Sequence, residues 1–296
     1  MPRKQFTTKK TFLWRNSPCH LKKITILSLV AAGAFATVAT TTATPTQAAK
    51  KTTITAITDG NVAPFAVKEK SGKLDGYDVD VLKAVVKKLP QYKLKWKIAE
   101  YDALLGNIDS GRADVGVNHF GKTAERQEKY LFSKPIFQDK PVFIVKKSNN
   151  KIKSFNSAAG HTTVAQVGTG FSLELEAYNK THKKNPIKIT YVKDYHDLQD
   201  ISQGKYDFAY TDLSMYKAEQ KQYKINDVKA VKLTNGKGGT KFNQPYTYVV
   251  FGKTAEDKKF QKAVNKELVK LAKDGTLTKI SKKYLGANYV PAVLKN

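Results

Sequence analysis

The sequence predicts an α/β protein with mainly parallel sheet, arranged as two lobes. From about residue 50, short apolar or alternating segments typical of strands are interleaved with amphipathic segments typical of helices. The same order of strands and helices begins again after residue 160. Because alternating strands and helices favour parallel sheets covered by helices, we expect each round to form one lobe.

The first round contains four predicted strands and two predicted helices. The longer helix is indicated by apolar residues that recur with a helical period, and Pro90 ends it. We expect Asp102 to cap the shorter helix. The segments are TTITAITD (52–59, strand), YDVDVLKAVVKKLP (77–90, helix, apolar at Val81, Leu82, Val85, Val86 and Leu89), LKWKI (94–98, strand), DALLGNIDSG (102–111, helix), ADVGVN (113–118, strand) and PVFIVKK (141–147, strand).

The second round repeats this pattern, and a long helix follows near the C-terminus. That helix is predicted to start at Thr254 with a capping box to Asp257 and to end near Gly275. Its apolar face is Phe260, Val264, Leu268 and Leu271. The earlier segments are TTVAQV (162–167, strand), GFSLELEAYN (170–179, helix), IKITYV (187–192, strand), DLQDISQG (197–204, helix) and YDFAYT (206–211, strand).

A weak internal repeat relates the two rounds. Both copies read L-x-x-I-x-x-G-x-x-D before an apolar strand, and Gly111 aligns with Gly204. Because ligands of open α/β sheets bind at the carboxyl ends of strands, we expect His119 in one copy to face Asp212 in the other across a cleft. A short helix that leads into a strand through glycine is also common by chance, so the repeat alone does not establish the cleft.

The first 48 residues predict a secretory signal peptide. Lys22 and Lys23 precede an apolar run at 24–38, and small residues follow it, with cleavage expected near Ala48. The run is too short for the membrane span that would be the alternative. Cys19 is the single cysteine and precedes the run, so we expect no lipid anchor, disulfide framework or cysteine-based metal site.

The charge of the chain is strongly positive. The formal net charge is +27, and residues 1–48 carry seven basic residues and no acidic one, so the mature chain keeps +20. This predicts a secreted protein attached peripherally to the anionic cell-wall polymers of a Gram-positive bacterium. Because the lysines are scattered and the chain is exported, we do not expect nucleic acid as a partner.

Five motifs in order resemble the extracellular solute-binding proteins of family 3, which are amino-acid receptors of ABC importers. The motifs are APFAVKEKSGKLDGYDVDVLKAV (63–85), IDSGRADVGVNHFGKTAERQEKYLFSKP (108–135), VAQVGTGF (164–171), GKYDFAYTD (204–212) and KDGTLTKISKKYLG (273–286). The resemblance implies a type II periplasmic-binding-protein-like fold with a ligand cleft between two lobes and a two-crossing hinge near Lys140 and Phe242. Lobe 1 would span 49–140, lobe 2 would span 141–242, and 243–296 would return to lobe 1. An ABC permease in the membrane is the implied partner.

Arg126 is the main candidate for binding a ligand carboxylate, because a guanidinium can donate two parallel hydrogen bonds to it. Backbone N–H groups near Gly121 and Thr123 could add donors. The alternative is a solvated helical arginine that pairs with a neighbouring glutamate. The family motif favours the site.

The second lobe supplies Asp212, whose carboxylate is suited to the ligand ammonium. Asp212 could also cap the helix that follows it, and the two roles are compatible. Thr169 and Gly170 open a helix and could donate backbone N–H groups to the ligand carboxylate. Asp59 ends the first strand, where it either holds a polar side chain of the ligand or caps a turn.

The chain departs from the family pattern at two places. Val62 stands where the family often has an aromatic residue over the ligand. His119 stands near the end of the site strand, where serine or threonine is usual, and either contacts the ligand or is an ordinary polar residue. The aromatic residues that could cover the ligand instead are Tyr77, Tyr101, Phe120 and Phe171, and the alternative for each is a place in the core. Phe65, in the first motif, is a further candidate ligand-binding residue.

The segment from Val117 to Ser133 most resembles the cystine-binding branch of the family and the basic surface proteins of lactobacilli, which implies L-cystine or another polar amino acid as the ligand. An alternative or second role is adhesion to mucin or collagen. An enzyme would need an acid–base pair or an activated nucleophile, and only His119 with Asp212 could form such a pair. We therefore expect no catalysis, cofactor or metal.

Overall fold

The computed structural model describes residues 51–138, 140–193, 197–233 and 246–295. The predicted signal peptide at 1–48, with Cys19, and Phe242 at the second expected hinge crossing lie outside the described residues. Residues 48–296 form one compact unit.

The described chain alternates strands and helices, as expected. The strands are β1 (Thr52–Thr58), β2 (Asn61–Val62), β3 (Ala66–Lys68), β4 (Leu74–Asp75), β5 (Tyr92–Ile98), β6 (Val115–Gly121), β7 (Leu131–Phe132), β8 (Phe137–Gln138), β9 (Pro141–Lys146), β10 (Thr162–Ala165), β11 (Lys188–Tyr191), β12 (Phe208–Asp212), β13 (Val228–Lys232) and β14 (Tyr246–Phe251). The helices are α1 (Tyr77–Lys87), α2 (Leu104–Asp109), α3 (Ala124–Lys129), α4 (Phe155–Ala158), α5 (Gly170–Thr181), α6 (Asp197–Ser202), α7 (Leu213–Tyr223), α8 (Ala255–Lys273) and α9 (Thr276–Leu285).

Two larger sheets define two lobes, with strand orders β5-β1-β6-β14-β7 and β11-β10-β12-β9-β13. The first lobe comprises the described residues up to Gln138 and from Tyr246 onwards, and the second comprises those from Pro141 to Lys232. The chain therefore passes between the sheets once after β8 and once before β14. The finer boundaries at residues 140 and 242 stay a prediction.

The expectation of mainly parallel sheet is wrong, because both sheets are mixed. Strands β5, β1 and β6 are parallel, as are β11, β10 and β12. The strands beside the crossings, β14 and β9, pair antiparallel with β6 and β12. A parallel neighbour needs a long crossover connection, usually a helix, whereas a strand that arrives from the other lobe can enter in the opposite direction.

The internal repeat is matched by equivalent hydrogen bonds. In the first lobe, Asp114 Oδ2 accepts from the backbone N–H of Thr55, at 2.6 Å. In the second lobe, Asp207 Oδ2 accepts from the backbone N–H of Thr162, at 2.8 Å. Each aspartate precedes β6 or β12 and bonds to the neighbouring parallel strand, β1 or β10. The two rounds are therefore built on the same local framework.

The helices follow the predicted apolar faces, with one correction at a cap. In α8, the predicted capping box is confirmed, since Thr254 Oγ1 accepts from Asp257 N and Asp257 Oδ2 accepts from Thr254 N. Asp102 does not cap α2. It lies inside a 3-10 turn at Tyr101–Ala103 that leads into the helix, and no side chain bonds to that helix start.

Candidate ligand cleft

A cavity of about 260 Å³ is lined by residues of both lobes. The predicted site residues that line it are Asp59, Tyr101, His119, Gly121, Arg126, Thr169 and Gly170. Phe65, Phe120, Thr123 and Asp212 are not part of its lining. The structure therefore brings most of the predicted residues together and places the other four behind the wall of the cavity.

Arg126 reaches the cavity from the start of α3. Thr123 caps this helix, and its hydroxyl oxygen accepts from the backbone N–H of Arg126, at 3.1 Å. The guanidinium is buried, with Nη1 donating to Gly121 O at 3.0 Å and Nη2 to Gly168 O at 2.7 Å. The alternative of a solvated arginine paired with a neighbouring glutamate is wrong, because Glu125 pairs with Lys129 instead.

The contact between Arg126 and Gly168 joins the two lobes. Tyr101 strengthens it, because its hydroxyl donates to Gly168 O at 3.2 Å and accepts from Arg126 Nη2 at 3.3 Å. Gly168 has a φ of +76°, a conformation that side chains disfavour. This turn leads into α5, where Thr169 is the N-cap and accepts from Ser172 N at 3.1 Å. The positive end of the α5 dipole therefore lies at the cavity.

Asp212 caps α7 and also contacts His119 across the lobes. Its side chain is fully buried, and Oδ1 accepts from the backbone N–H groups of Ser214 and Met215, both at 2.8 Å. Oδ2 lies 3.1 Å from His119 Nε2. The expectation that Asp212 caps the helix is confirmed, and the expectation that His119 faces Asp212 is confirmed as well. The contact of Asp212 with a ligand ammonium stays a prediction.

His119 contacts Asp78 and Phe65 in addition to Asp212. It adopts a φ of +52°, and its backbone N–H donates to Asp78 Oδ2 at 2.8 Å. Its ring stacks on Phe65 with 3.6 Å between ring centroids. Burial raises the pKa of Asp78 to about 6, although the positive charge that His119 can carry opposes this shift. Phe65 thus supports the cavity wall through His119.

Asp59 lines the cavity and caps a turn at the same time. Its Oδ1 accepts from Asn61 N at 2.9 Å, and its Oδ2 accepts from Asn118 Nδ2 at 3.1 Å. Asn118 in turn accepts from the hydroxyl of Thr58, at 2.7 Å. Burial raises the pKa of Asp59, and the hydrogen bonds from Asn61 and Asn118 oppose that shift. The carboxylate is therefore oriented by hydrogen bonds from β2 and β6.

The aromatic candidates separate into two groups. Tyr101 and Phe171 line the cavity together with Val62. Phe120 is buried in the first lobe beside Arg126, whose guanidinium carbon lies 5.5 Å from the ring centroid. Tyr77 is also buried, and its hydroxyl donates to Ile136 O. Tyr101 and Phe171 can thus cover a ligand, whereas Tyr77 and Phe120 belong to the core.

One face of α7 lines the cavity and was not predicted from the sequence. The residues of this helix that line the cavity are Met215, Glu219, Gln222 and Tyr223. They recur with helical spacing after Asp212, so an amphipathic reading of this segment could have found them. Burial raises the pKa of Glu219 to about 7, and the negative charge of Asp212 adds to the effect. Gln166 and Lys193, which follow β10 and β11, were missed as well.

Comparison with known proteins identifies the family. A model of the bacterial extracellular solute-binding proteins, family 3, matches residues 54–287. The chain belongs to this family. It is 36% identical over 225 residues to the probable amino-acid-binding protein YxeM of Bacillus subtilis, covering 76% of this chain and 81% of the relative. It is 34% identical over 240 residues to the L-cystine-binding protein TcyA of the same species, covering 80% and 82%.

Solved structures of solute-binding proteins have the same type II fold. One comes from work on glutathione import in Gram-positive bacteria via GshT and the cystine ABC importer TcyBC of Streptococcus mutans, with a TM-score of 0.74, 35% identity and coverage of 82% of this chain and 98% of that chain. Another is an ancestral arginine-binding protein bound to arginine, with a TM-score of 0.67, 30% identity and coverage of 79% and 98%. The cavity of this family 3 protein thus lies between the two lobes of a solute-binding fold.

Two further findings concern only the described ranges. None of the helices there combines the length and apolar character that a membrane crossing requires. Across the same residues, His, Cys, Asp and Glu side chains form no group of three or more that could hold a metal ion.

Proposed function

We propose that this protein binds a polar amino acid, with L-cystine as the leading candidate, and presents it to an ABC permease. The observation that carries the proposal is the buried guanidinium of Arg126 in a cavity shared by both lobes. The cavity of about 260 Å³ is close to the lower end of ligand pockets, about 300 Å³, which suits a small ligand. The names of the relatives YxeM and TcyA support this ligand class.

The ligand carboxylate is expected to bind Arg126. The hydrogen bonds to Gly121, Gly168 and Tyr101 use one N–H of Nη1 and both N–H groups of Nη2, which leaves Nε–H and one N–H of Nη1. A carboxylate can accept from these donors singly, and it can form the parallel pair when it replaces a partner of Nη2, such as the 3.3 Å contact with Tyr101. The first N–H groups of α5, near Gly170, have no partners within the helix and can add to this anion site. Asp59 offers a carboxylate to a ligand ammonium or polar side chain in the same cavity.

Ligand binding is expected to favour the closed arrangement of the lobes. The contacts from Arg126 to Gly168 and from His119 to Asp212 exist only when the lobes are close together. A ligand that bridges Arg126 and the start of α5 would shift the equilibrium toward this state by its preference for it. The closed state would be the form that the permease recognises. Binding, rather than catalysis, is the role that this arrangement supports.

The ligand can be identified directly. Mass spectrometry of the supernatant after denaturing the purified protein should detect a polar amino acid, and calorimetry with a panel of amino acids should give the tightest binding for L-cystine. If no amino acid of the panel binds to folded protein, the proposed function is wrong. Tight binding of another polar amino acid, with none of cystine, would leave the receptor function in place and reject cystine.

The charge of the mature chain suggests how the protein stays at the cell. At +20, it is expected to bind anionic wall polymers without a lipid anchor. Since the Debye length falls to about 3 Å at 1 M salt, washing cells with 1 M salt should release intact protein. Release only by detergent would contradict this attachment. Adhesion to mucin or collagen has no support beyond the same charge and is not proposed.

A further inference from the structure

The acidic residues on the cavity wall differ from those expected. Among the described residues, the carboxylates that line the cavity are Asp59 of the first lobe and Glu219 of the second. Asp212, which was expected to bind the ligand ammonium, does not line it. The second lobe therefore presents its negative charge to the cavity from the middle of α7 and not from the end of β12.

Asp212 is already used by the protein. One carboxylate oxygen accepts the first backbone N–H groups of α7, from Ser214 and Met215, and the other contacts His119 of the first lobe. With no exposed surface, this side chain is suited to joining the lobes. Its charge also acts on Glu219, whose pKa it raises.

The described hydrogen bonds and ion pairs provide little stabilisation for the negative charge of Glu219. Its described hydrogen bond comes from the backbone N–H of Leu198 to Oε2, at 3.4 Å, which is longer than the usual distance of about 2.9 Å. The described ion pairs of the cavity residues involve His119 with Asp212 and Lys193 with Glu100, not Glu219. Burial therefore raises the pKa of Glu219 to about 7, and a nearby cation would lower it again.

We infer that Glu219 is a specificity-determining residue that binds an ammonium group of the ligand, so that the cleft favours an amino acid with two ammonium groups. The inference rests on the proposed function. Glu219 then pairs with one ammonium group of the ligand, and the other is left for Asp59 or for Asp212, whose contact with a ligand ammonium stays a prediction. L-Cystine is a ligand of this class, since it carries an ammonium and a carboxylate at each end.

A matched pair of ligands tests this assignment. The first probe is L-cystine, and the second is the mixed disulfide of L-cysteine and 3-mercaptopropionic acid, which is cystine without one ammonium group. The wild-type protein should bind cystine at least about tenfold more tightly than the analogue, as expected for a close charge pair. In Glu219→Gln, calorimetry should give affinities for the two probes that agree within about threefold.

Two control variants make the result specific. Glu256→Gln removes the same charge from a side chain that is three-quarters exposed on α8, so it should keep the wild-type ratio of affinities. Asp212→Asn should weaken both probes alike and keep the ratio, because Asp212 acts on closure or on the ammonium group that both probes carry. Thermal unfolding of each variant establishes that it is folded.

The outcomes distinguish the inference from the proposed function. If Glu219→Gln keeps the wild-type ratio, or if Asp212→Asn abolishes it, the inference is overturned. It is also overturned if the wild-type protein binds the two probes equally, or binds single-ammonium amino acids and not cystine; the receptor function then stands. If the wild-type protein binds neither probe and no amino acid of the panel, both proposals fail.

Discussion

The carboxyl ends of β6 and β12 occupy matching places in the two sheets, yet they supply opposite charges. Each strand is parallel to the first strand of its round and antiparallel to the strand beside a crossing. Strand β6 continues through His119 to Gly121 and leads into α3, which carries Arg126. Strand β12 ends at Asp212, which caps the 11-residue helix α7.

The hydrogen bonds that join the strands within each lobe are therefore independent of the charged residues that the lobe presents to the cavity. Asp114 and Asp207 tie each strand to its parallel neighbour at the end opposite to the cavity. These hydrogen bonds do not involve the residues at the cavity end of the strands. One lobe can therefore place a guanidinium there and the other a buried carboxylate. The two ends meet in the contact between His119 and Asp212.

Removing the positive charge of Arg126 in the first lobe should have the largest effect on ligand affinity. Arg126→Ala is expected to lose roughly 2–5 kcal/mol of binding, or about 30- to several-thousand-fold in affinity, because the ligand carboxylate stays buried without its partner. Arg126→Lys should fail nearly as badly, since an ammonium cannot reproduce the planar fork. Calorimetry with the tightest amino acid of the panel measures both variants.

Arg112→Lys is the matched control for Arg126→Lys. Arg112 is exposed and bonds through Nε to Asn107, away from the cavity, so its replacement should leave affinity unchanged. Lys122 is a poor control, because it is partly buried, burial lowers its pKa, and Nζ lies 4.6 Å from the ring centroid of Tyr248. Folded Arg126→Ala protein that binds as tightly as wild type would reject the carboxylate site.

Breaking the contact between the two strand ends should have the next largest effect. Asp212→Asn keeps a good N-cap but removes the charge opposite His119, so affinity should fall about tenfold, the value expected for one charged hydrogen bond. A double-mutant cycle with His119→Gln measures the coupling. Additive effects of the two variants would mean that the pair does not hold the lobes together.

Lowering the pH should weaken ligand binding by protonating Glu219, which lies on the face of α7 that lines the cavity. A bound ammonium is expected to lower the raised pKa of Glu219, so affinity should fall by up to about tenfold from pH 8 to pH 6, and binding at pH 7 should release about half a proton. Calorimetry in buffers with different ionisation enthalpies measures this release. Among the described residues, the other charged or titratable side chains in or beside the cavity are Asp59, Asp78, Glu100, Tyr101, His119, Arg126, Lys193, Asp212 and Tyr223.

Glu219→Gln is the variant that assigns the proton. It should abolish most of the release and leave a smaller pH dependence from the other groups. Unchanged release in this variant would assign the proton to one of those groups and remove Glu219 from the explanation.

The smallest effect is expected from replacing Asp114 or Asp207, the aspartates that bond to the parallel neighbours of β6 and β12. Burial raises the pKa of Asp114, against its hydrogen bond from Thr55, so its charged form costs stability above its unfolded pKa of 3.8. Burial acts the same way on Asp207, but bonds from Thr162 and His161 outweigh it and lower the pKa, so its stabilisation is present at neutral pH and is lost as pH falls below 3.8.

Paired variants measure this contrast. Asp207→Asn should cost about 0.5–1 kcal/mol at pH 7, a value reduced by the exposure of the side chain, whereas Asp114→Asn should be nearly neutral. As pH falls below 3.8 toward the lowered pKa of Asp207, the difference between the two variants should shrink, because Asp207 then becomes protonated in the folded state. Urea unfolding at pH 7 and pH 3 gives the free energies. Equal losses at pH 7 would contradict the assigned difference.

Local patterns in the sequence were sufficient to predict the helices, the strands and the order of the motifs. The apolar face of α1, the capping box of α8 and the repeat around Gly111 and Gly204 depend on residues a few positions apart, so periodicity and capping rules could find them. The place of Arg126 after a buried strand could also be predicted, because the motif that carries it is continuous in the chain.

Which side chains face the cavity depends on contacts between distant parts of the chain. The antiparallel entry of β9 and β14 and the contact of Arg126 with Gly168 join segments far apart in sequence. Glu219 looks like an ordinary helical glutamate until the lobes approach each other. Its burial, and therefore its raised pKa, depends on its packing against the start of α6 beside a cavity lined by both lobes, which no local pattern specifies.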